Sequence, residues 1–489
     1  MPSVLAKRTA VFSSLENEVV SMSSFKRDFY SDVSAAINGT APVTALIGPR
    51  KCGKTVCLKQ IAQAYANAQF FDVKRLSEDE RIALKDRICA SISSNEDVIY
   101  LVDEVTYWHY PDNIIMLFSD MYAETLNTRT KLVLAGSQSR SLECWCHRAF
   151  AGNANFIRMS FMDYSEWLRY ANESASIESY KQFLYNIDKF YHMEDLQDYL
   201  QACLDETVNS NYKAGNLILG NDCDLVSVQL LLDVLYVILI SRHNRMSAQS
   251  FSNETLLHAD IRYFFHEIYS DDTIARIDLF LMSRYKALKG ISLAEIRQAM
   301  RFLYNCGLIT VTFTVVDPDI VTDAKDILFN DSKFEREINT KNDFFSKFNF
   351  SIKHPMFYLA VLKLLLQKDM PNELPQDLLG SLVECHVRGL MPEAYSCEYH
   401  DALDNEVDYL NPSYGIAIEV TVSDKRLRNT HLDLLVGYPI KILTTKTLLD
   451  RQGDICRIPY YLLIEFISMR YSQCPELGAF LCSLYKSEE

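Results

Sequence analysis

The chain has 489 residues, 48% of them hydrophobic and 12% aromatic, with a formal net charge of -15. That length allows two or three domains with sizeable cores, and scarce glycine and proline argue against long disordered stretches. The acidic balance argues against a general polyanion binder while leaving room for a local basic surface.

Thirteen cysteines are an odd number without regular spacing, and the pair Cys144 and Cys146 has no matching second pair for a zinc site. The first residues, MPSVLAKRTA, lack the apolar core of a signal peptide. Free thiols in a reducing cytoplasm are the expectation. The apolar stretch LVSVQLLLDVLYVILI, residues 225–240, is short for a membrane span and carries Gln229 and Asp233. It is expected as a buried helix, with no membrane partner.

Along the chain, VTALI at 43–47 reads as a buried strand, followed by GPRKCGKT and then an alanine-rich helical stretch. Strand, glycine loop and helix form the context of a phosphate loop. Gly48, Pro49, Arg50, Lys51, Cys52, Gly53, Lys54, Thr55 and Val56 would make up the cradle. Its backbone N–H groups and the helix N-terminus favour a polyphosphate. Lys54 is expected on the β- and γ-phosphates and Thr55 on Mg²⁺.

Such a loop calls for a second strand ending in acid, and DVIYLVDEVTYW supplies it. Asp103 would order the metal shell, and Glu104 would act as general base toward the attacking water. A third strand, Lys131–Ala135, ends in Gly136, Ser137 and Gln138. Ser137 is the first choice, and Gln138 the second, for a polar group sensing the γ-phosphate. Arg140 and Arg148 follow as candidates for an arginine finger, in cis or toward a neighbouring subunit.

GPRKCGKT, VIYLVDE, LVLAGSQSR and RAFAGNANFIRMSFMDYSEWL, taken together, resemble a large prokaryotic ATPase family near the AAA+ and STAND branches of the P-loop ATPases. Asn153 stands where that family usually has arginine. The resemblance begins near Phe29 and is most specific up to Tyr170. It implies an α/β P-loop NTPase core of the additional-strand, AAA+-like type, ATP rather than GTP as ligand, a winged-helix segment, and a C-terminal restriction-endonuclease-like domain.

From 174 to 289 the apolar spacing is helical. In ISLAEIRQAMRFLYNCGLITVTFTVV, Ser292 and Glu295 form a capping box and Gly307 sits at a C′ position. A strand over 308–316 and a return strand over 348–352 would complete a wing. Arg297, Arg301 and Asn305 are expected on the helix's outward face, where a winged helix would meet DNA. The rival reading is a helix and hairpin that pack or bind protein.

Farther on, GSLVECHVRGL reads as a helix bearing Glu384, Asp408 lies on a strand, and Glu419 lies on the next. Restriction-type nucleases resemble this outline, in which Asp408, Glu419 and Glu384 would hold Mg²⁺. The lysine of their E-x-K pattern is replaced by Thr421, with Lys425 and Lys441 as the nearest substitutes. A degenerate domain is therefore expected.

The expected organisation is an N-terminal extension (1–25), a P-loop ATPase domain (26–172), a helical region (173–289), a winged-helix-like region (290–370) and an α/β nuclease-like domain (371–489). Three functions compete: an ATP-driven conformational switch acting on a protein partner, an ATP-gated DNA enzyme with metal-dependent nuclease activity, and a nucleotide-binding scaffold with little turnover. An oligomer is compatible with each.

Overall fold

The computed structural model describes residues 25–125, 129–137, 139–191, 195–209, 226–240, 245–246, 258–259, 261–262, 265–266, 269–313, 324–366, 374–391, 397–400, 406–411, 415–424, 438–453 and 455–469. The chain divides into two compact units, one built on residues 1–162 with 206–218, the other on 163–205 with 219–489.

The first unit is a five-stranded sheet in the order β2-β3-β4-β1-β5, with β1 Val43–Ile47, β2 Ala68–Asp72, β3 Ile99–Asp103, β4 Lys131–Ala135 and β5 Ala154–Arg158. All its pairings are parallel. Helices cover both faces of such a sheet, so its central strands read as unbroken apolar runs rather than alternating ones. VTALI and IYLVD are buried at every position, whereas β2 and β5, at the edges, are mostly half-buried. β4 separates β1 from β3, the additional-strand arrangement. The parallel five-stranded sheet fits a P-loop NTPase α/β core.

Among the described residues the helices of this unit include α1 Asp28–Asn38, α2 Lys54–Ala64, α3 Glu78–Ser93, α4 Pro111–Glu124 and α5 Ser139–Phe150. α3 starts at a capping box, with Ser77 N–H donating to Glu80 at 2.8 Å and Glu80 N–H to Ser77 Oγ at 3.4 Å. Pro111 opens α4 at a position where its missing N–H is harmless. The faces of α3, α4 and α5 close over the sheet through Ile88, Ile92, Phe118, Trp145 and Phe150.

The second unit begins with α6 Tyr164–Ala171 and α7 Ile177–Phe190, and continues with α8 Val228–Ile240, α9 Asp271–Gly290 and α10 Leu293–Asn305. α8 is a buried helix, as its sequence leads one to expect. Its Asp233, 5% exposed, accepts from Gln229 at 2.7 Å and faces Arg284 at 3.7 Å. Among the described residues no helix is long and apolar enough to cross a membrane.

α10 carries the expected capping box, with Ser292 N–H donating to Glu295 at 2.7 Å. It ends with Gly307 N–H on Tyr304 O and Leu308 N–H on Leu303 O, a Schellman closure. β7 Ile309–Phe313 and β8 Phe348–Ile352 follow as an antiparallel pair. The expected return strand has these bounds, while residues 314–316 lie outside the described residues.

The outward face assigned to α10 is corrected. Two short helices from the charge-rich insert, α11 Ala324–Phe329 and α12 Asp331–Glu337, supply its partners. Arg297, 9% exposed, donates to Leu328 O at 3.0 Å, meets Asp331 at 2.9 Å and lies over the Phe334 ring at 3.9 Å. Arg301, 6% exposed, sits over Phe329. Asn305 is half-buried at the helix end. Guanidinium groups engaged this way serve packing rather than a groove.

A larger sheet runs in the order β13-β14-β12-β11-β10-β9-β7-β8-β6. Its members beyond β8 are β9 Cys397–His400, β10 Glu406–Asn411, β11 Ile416–Glu419, β12 Ile440–Thr445, β13 Asp450–Gln452 and β14 Ile455–Pro459, and β6 is Arg245–Met246. β9, β10 and β11 are antiparallel neighbours, and β11, β12 and β14 are parallel. Helices α13 Pro355–Leu366, α14 Gln376–Leu390 and α15 Tyr460–Ser468 also belong to the unit.

Candidate functional site

The carboxyl ends of β1, β3 and β4 lie side by side, because Leu46 pairs with Ala135 and Val102 with Leu134. Open α/β sheets bind ligands beyond that edge. The loop after β1 passes so close to the segment after β5 that a Cβ on Gly48 would sit 2.3 Å from Met159 O. Gly53, with φ 102°, turns the chain into α2 in a conformation that L side chains rarely adopt. Both glycines are therefore required by the local path.

Lys54 is 7% exposed and its Nζ donates to Gly48 O at 2.7 Å and Pro49 O at 2.8 Å. Thr55 Oγ1 donates to Asp103 Oδ2 at 2.5 Å. Asp103, 2% exposed, also accepts from Glu104 N–H at 3.0 Å. Burial pushes its carboxyl above the usual carboxylate range, and the Thr55 hydrogen bond partly opposes that shift. A desolvated carboxylate beside a hydroxyl at the foot of a phosphate loop suits a divalent cation, whose charge would offset the cost of burial. Thr55 and Asp103 thus fit Mg²⁺ by the chemistry of the donors.

Glu104 has φ 53° and ψ 43°, an uncommon left-handed conformation for a glutamate. Ser137, at the exit of β4, donates to it twice: Oγ to Oε1 at 2.6 Å and N–H to Oε2 at 3.1 Å. Lys54, Thr55, Asp103, Glu104 and Ser137 are thereby brought together along one edge. Gln138 lies outside the described residues, and Arg140 is placed only by its backbone on α5. Arg148 is exposed in the last turn of that helix.

A family model for an AAA domain matches residues 40–168. That match supports an AAA-type P-loop ATPase core and, with it, nucleotide binding. No curated protein matches the chain.

Sequence reasoning missed Arg27. Its Nη1 donates to Cys52 O at 2.9 Å and to Ser160 O at 3.0 Å. No motif marks it, since the contact joins segments far apart in the chain.

The second predicted centre does not assemble. On α14, Arg388 stands one turn after Glu384, with 2.8 Å between guanidinium and carboxylate, and reaches within 3.7 Å of Asp408. All three are under a tenth exposed. Asp408 also accepts from Val420 N–H at 2.7 Å. Thr421 N–H donates to Thr444 Oγ1 at 2.6 Å. Glu419 is half-buried on β11, and Lys425 lies outside the described residues. Among the described residues no three His, Cys, Asp or Glu side chains are grouped to hold a metal. A fixed internal cation takes the place between the carboxylates, so these residues do not fit the Mg²⁺ expected of a nuclease.

Proposed function

We propose that the chain binds and hydrolyses ATP with Mg²⁺ and couples that cycle to a conformational change. The observation that carries this reading is the hydrogen-bonded chain of Thr55, Asp103, Glu104 and Ser137, with Lys54 held by the loop carbonyls, at the ends of β1, β3 and β4. The matched AAA domain supports it.

In this reading the loop N–H groups and Lys54 bind the triphosphate, Lys54 exchanging its carbonyl partners for phosphate oxygens. Thr55 and Asp103 hold Mg²⁺, which would neutralise charge on the phosphates. Glu104 takes the proton from the attacking water at a carboxylate oxygen. Ser137 fixes the rotamer of that carboxylate through its two hydrogen bonds. The acidic chain, the packed Arg297 and Arg301 and the Arg388 pairing all favour a protein rather than DNA as the partner of the switch.

The test is phosphate release from ATP and Mg²⁺, with and without duplex DNA. Lys54→Ala is expected to lose nucleotide binding, and Glu104→Gln to retain binding but lose turnover. Normal turnover in Glu104→Gln would sink the base assignment. Stimulation of the wild type by DNA would revive the DNA-acting reading, and affinity without turnover would favour a scaffold.

A further inference from the structure

We propose that Arg27 is a positioning residue that ties the phosphate loop to the chain leading into the second unit, so that nucleotide binding is transmitted along that chain. The proposal rests on the nucleotide-binding reading of the loop.

The two hydrogens of a single nitrogen, Arg27 Nη1, serve two carbonyls: Cys52 O in the loop at 2.9 Å and Ser160 O beyond β5 at 3.0 Å. A trans peptide is planar, with its C=O and N–H directed oppositely. Holding the Cys52 carbonyl on the Arg27 side therefore directs the Gly53 N–H the other way. A phosphate cradle needs its N–H groups turned inward in this manner. A guanidinium suits the task because it stays charged and its donors are fixed in a plane.

Arg27 is itself held in place. Gln60 of α2 donates to Phe25 O at 3.0 Å, which fastens the residues before α1 to the helix that follows the loop. The guanidinium also lies 5.1 Å from the centre of the Phe29 ring. At its far end the Arg27 link reaches a segment that already touches the loop. Met159 N–H donates to Ile47 O at 2.6 Å, and Met159 O leaves no room for a side chain at Gly48.

Ser160 is followed by Phe161 and Met162, where the first unit ends, and Asp163 opens the second. A displacement of the Cys52–Gly53 peptide on binding phosphate must break the Arg27 bond to Cys52, break its bond to Ser160, or draw Ser160 along with it. The last course moves the covalent entry to α6. Proximity alone would be a weak warrant for coupling; here one donor atom is shared between the two segments.

The experiment is hydrogen–deuterium exchange on the full chain with and without Mg²⁺ and a non-hydrolysable ATP analogue, for the wild type, Arg27→Met and Arg27→Lys. In the wild type, nucleotide is expected to protect both the loop (46–56) and the connecting segment (159–171). Arg27→Met is expected to bind about tenfold more weakly, the scale of a charged hydrogen bond. At saturation it should protect the loop but leave 159–171 unchanged. Arg27→Lys, with its donors on one mobile nitrogen, should give intermediate protection of 159–171.

Wild-type protection of 159–171 in Arg27→Met would overturn the proposal, as would a wild type in which only the loop responds. If the wild-type loop shows no protection, the nucleotide reading fails and the coupling with it. Should Arg27→Met not fold, wild-type protection of 159–171 in Arg27→Lys overturns the proposal instead.

Discussion

Ser137 donates to both oxygens of Glu104, its hydroxyl to Oε1 and its N–H to Oε2, so the two donors together set where the carboxylate points. Glu104 sits on a backbone of positive φ and follows a buried aspartate. Misplacing a catalytic group by about 1 Å costs on the order of a hundredfold in rate. Ser137→Ala is accordingly expected to lower kcat between about tenfold and a hundredfold while nucleotide affinity stays within about twofold. Ser137→Thr, which keeps the hydroxyl, should retain most of the rate. Equal loss of affinity and rate in Ser137→Ala would place the serine on the nucleotide instead. The types and spacing of these residues were readable because a phosphate loop needs particular atoms at particular offsets. The Ser137–Glu104 bond was not, because it depends on β4 lying between β1 and β3.

Helix α14 shows what a single element's pattern conceals. Glu384 and Arg388 are four residues apart, the spacing of an ordinary helical ion pair, and exposed pairs of that kind contribute little. Here both are buried, and Asp408 from β10 completes the group. Removing the cation leaves two carboxylates in a dry site, which for a buried pair costs about 3–5 kcal/mol. Arg388→Ala is therefore expected to lower the urea midpoint of the second unit sharply. The triple change Glu384→Gln, Arg388→Met, Asp408→Asn should recover most of that loss. A single variant as stable as the wild type would show that the group carries no burial penalty. Helix α10 offers the converse lesson. Its capping box and Schellman ending were legible because both are local. The burial of Arg297 and Arg301 was not, because their partners on α11 and α12 lie in a separate stretch of the chain.

At the scale of the molecule, the wing-like strands and the nuclease-like strands belong to one sheet, joined where Phe313 pairs with Cys397. A parallel contact across so many residues leaves no trace in local pattern. The helices on that unit bury His386, which is 1% exposed. Its Nδ1 lies 3.1 Å from the Tyr180 hydroxyl, and its ring stacks on Phe183 at 5.5 Å with His354 5.8 Å away. Burial, reinforced by His354, holds its pKa well below the ordinary 6.5. The folded unit thus keeps His386 neutral where the unfolded chain protonates it. Above the unfolded value the two states bind protons alike and the stability is fully present. As pH falls below it, the unfolded state gains a proton that the folded state refuses, and stability declines by up to about 1.4 kcal/mol per pH unit. The urea-derived stability of the second unit is expected to be flat from pH 8 to 7 and to fall between pH 6.5 and 5.5. His386→Phe, which preserves the ring packing, should remove this residue's share of the slope. The same slope in the variant would assign the acid sensitivity to other groups, because losing the Tyr180 hydrogen bond lowers stability at every pH whereas the imidazole's proton adds a slope only below pH 6.5.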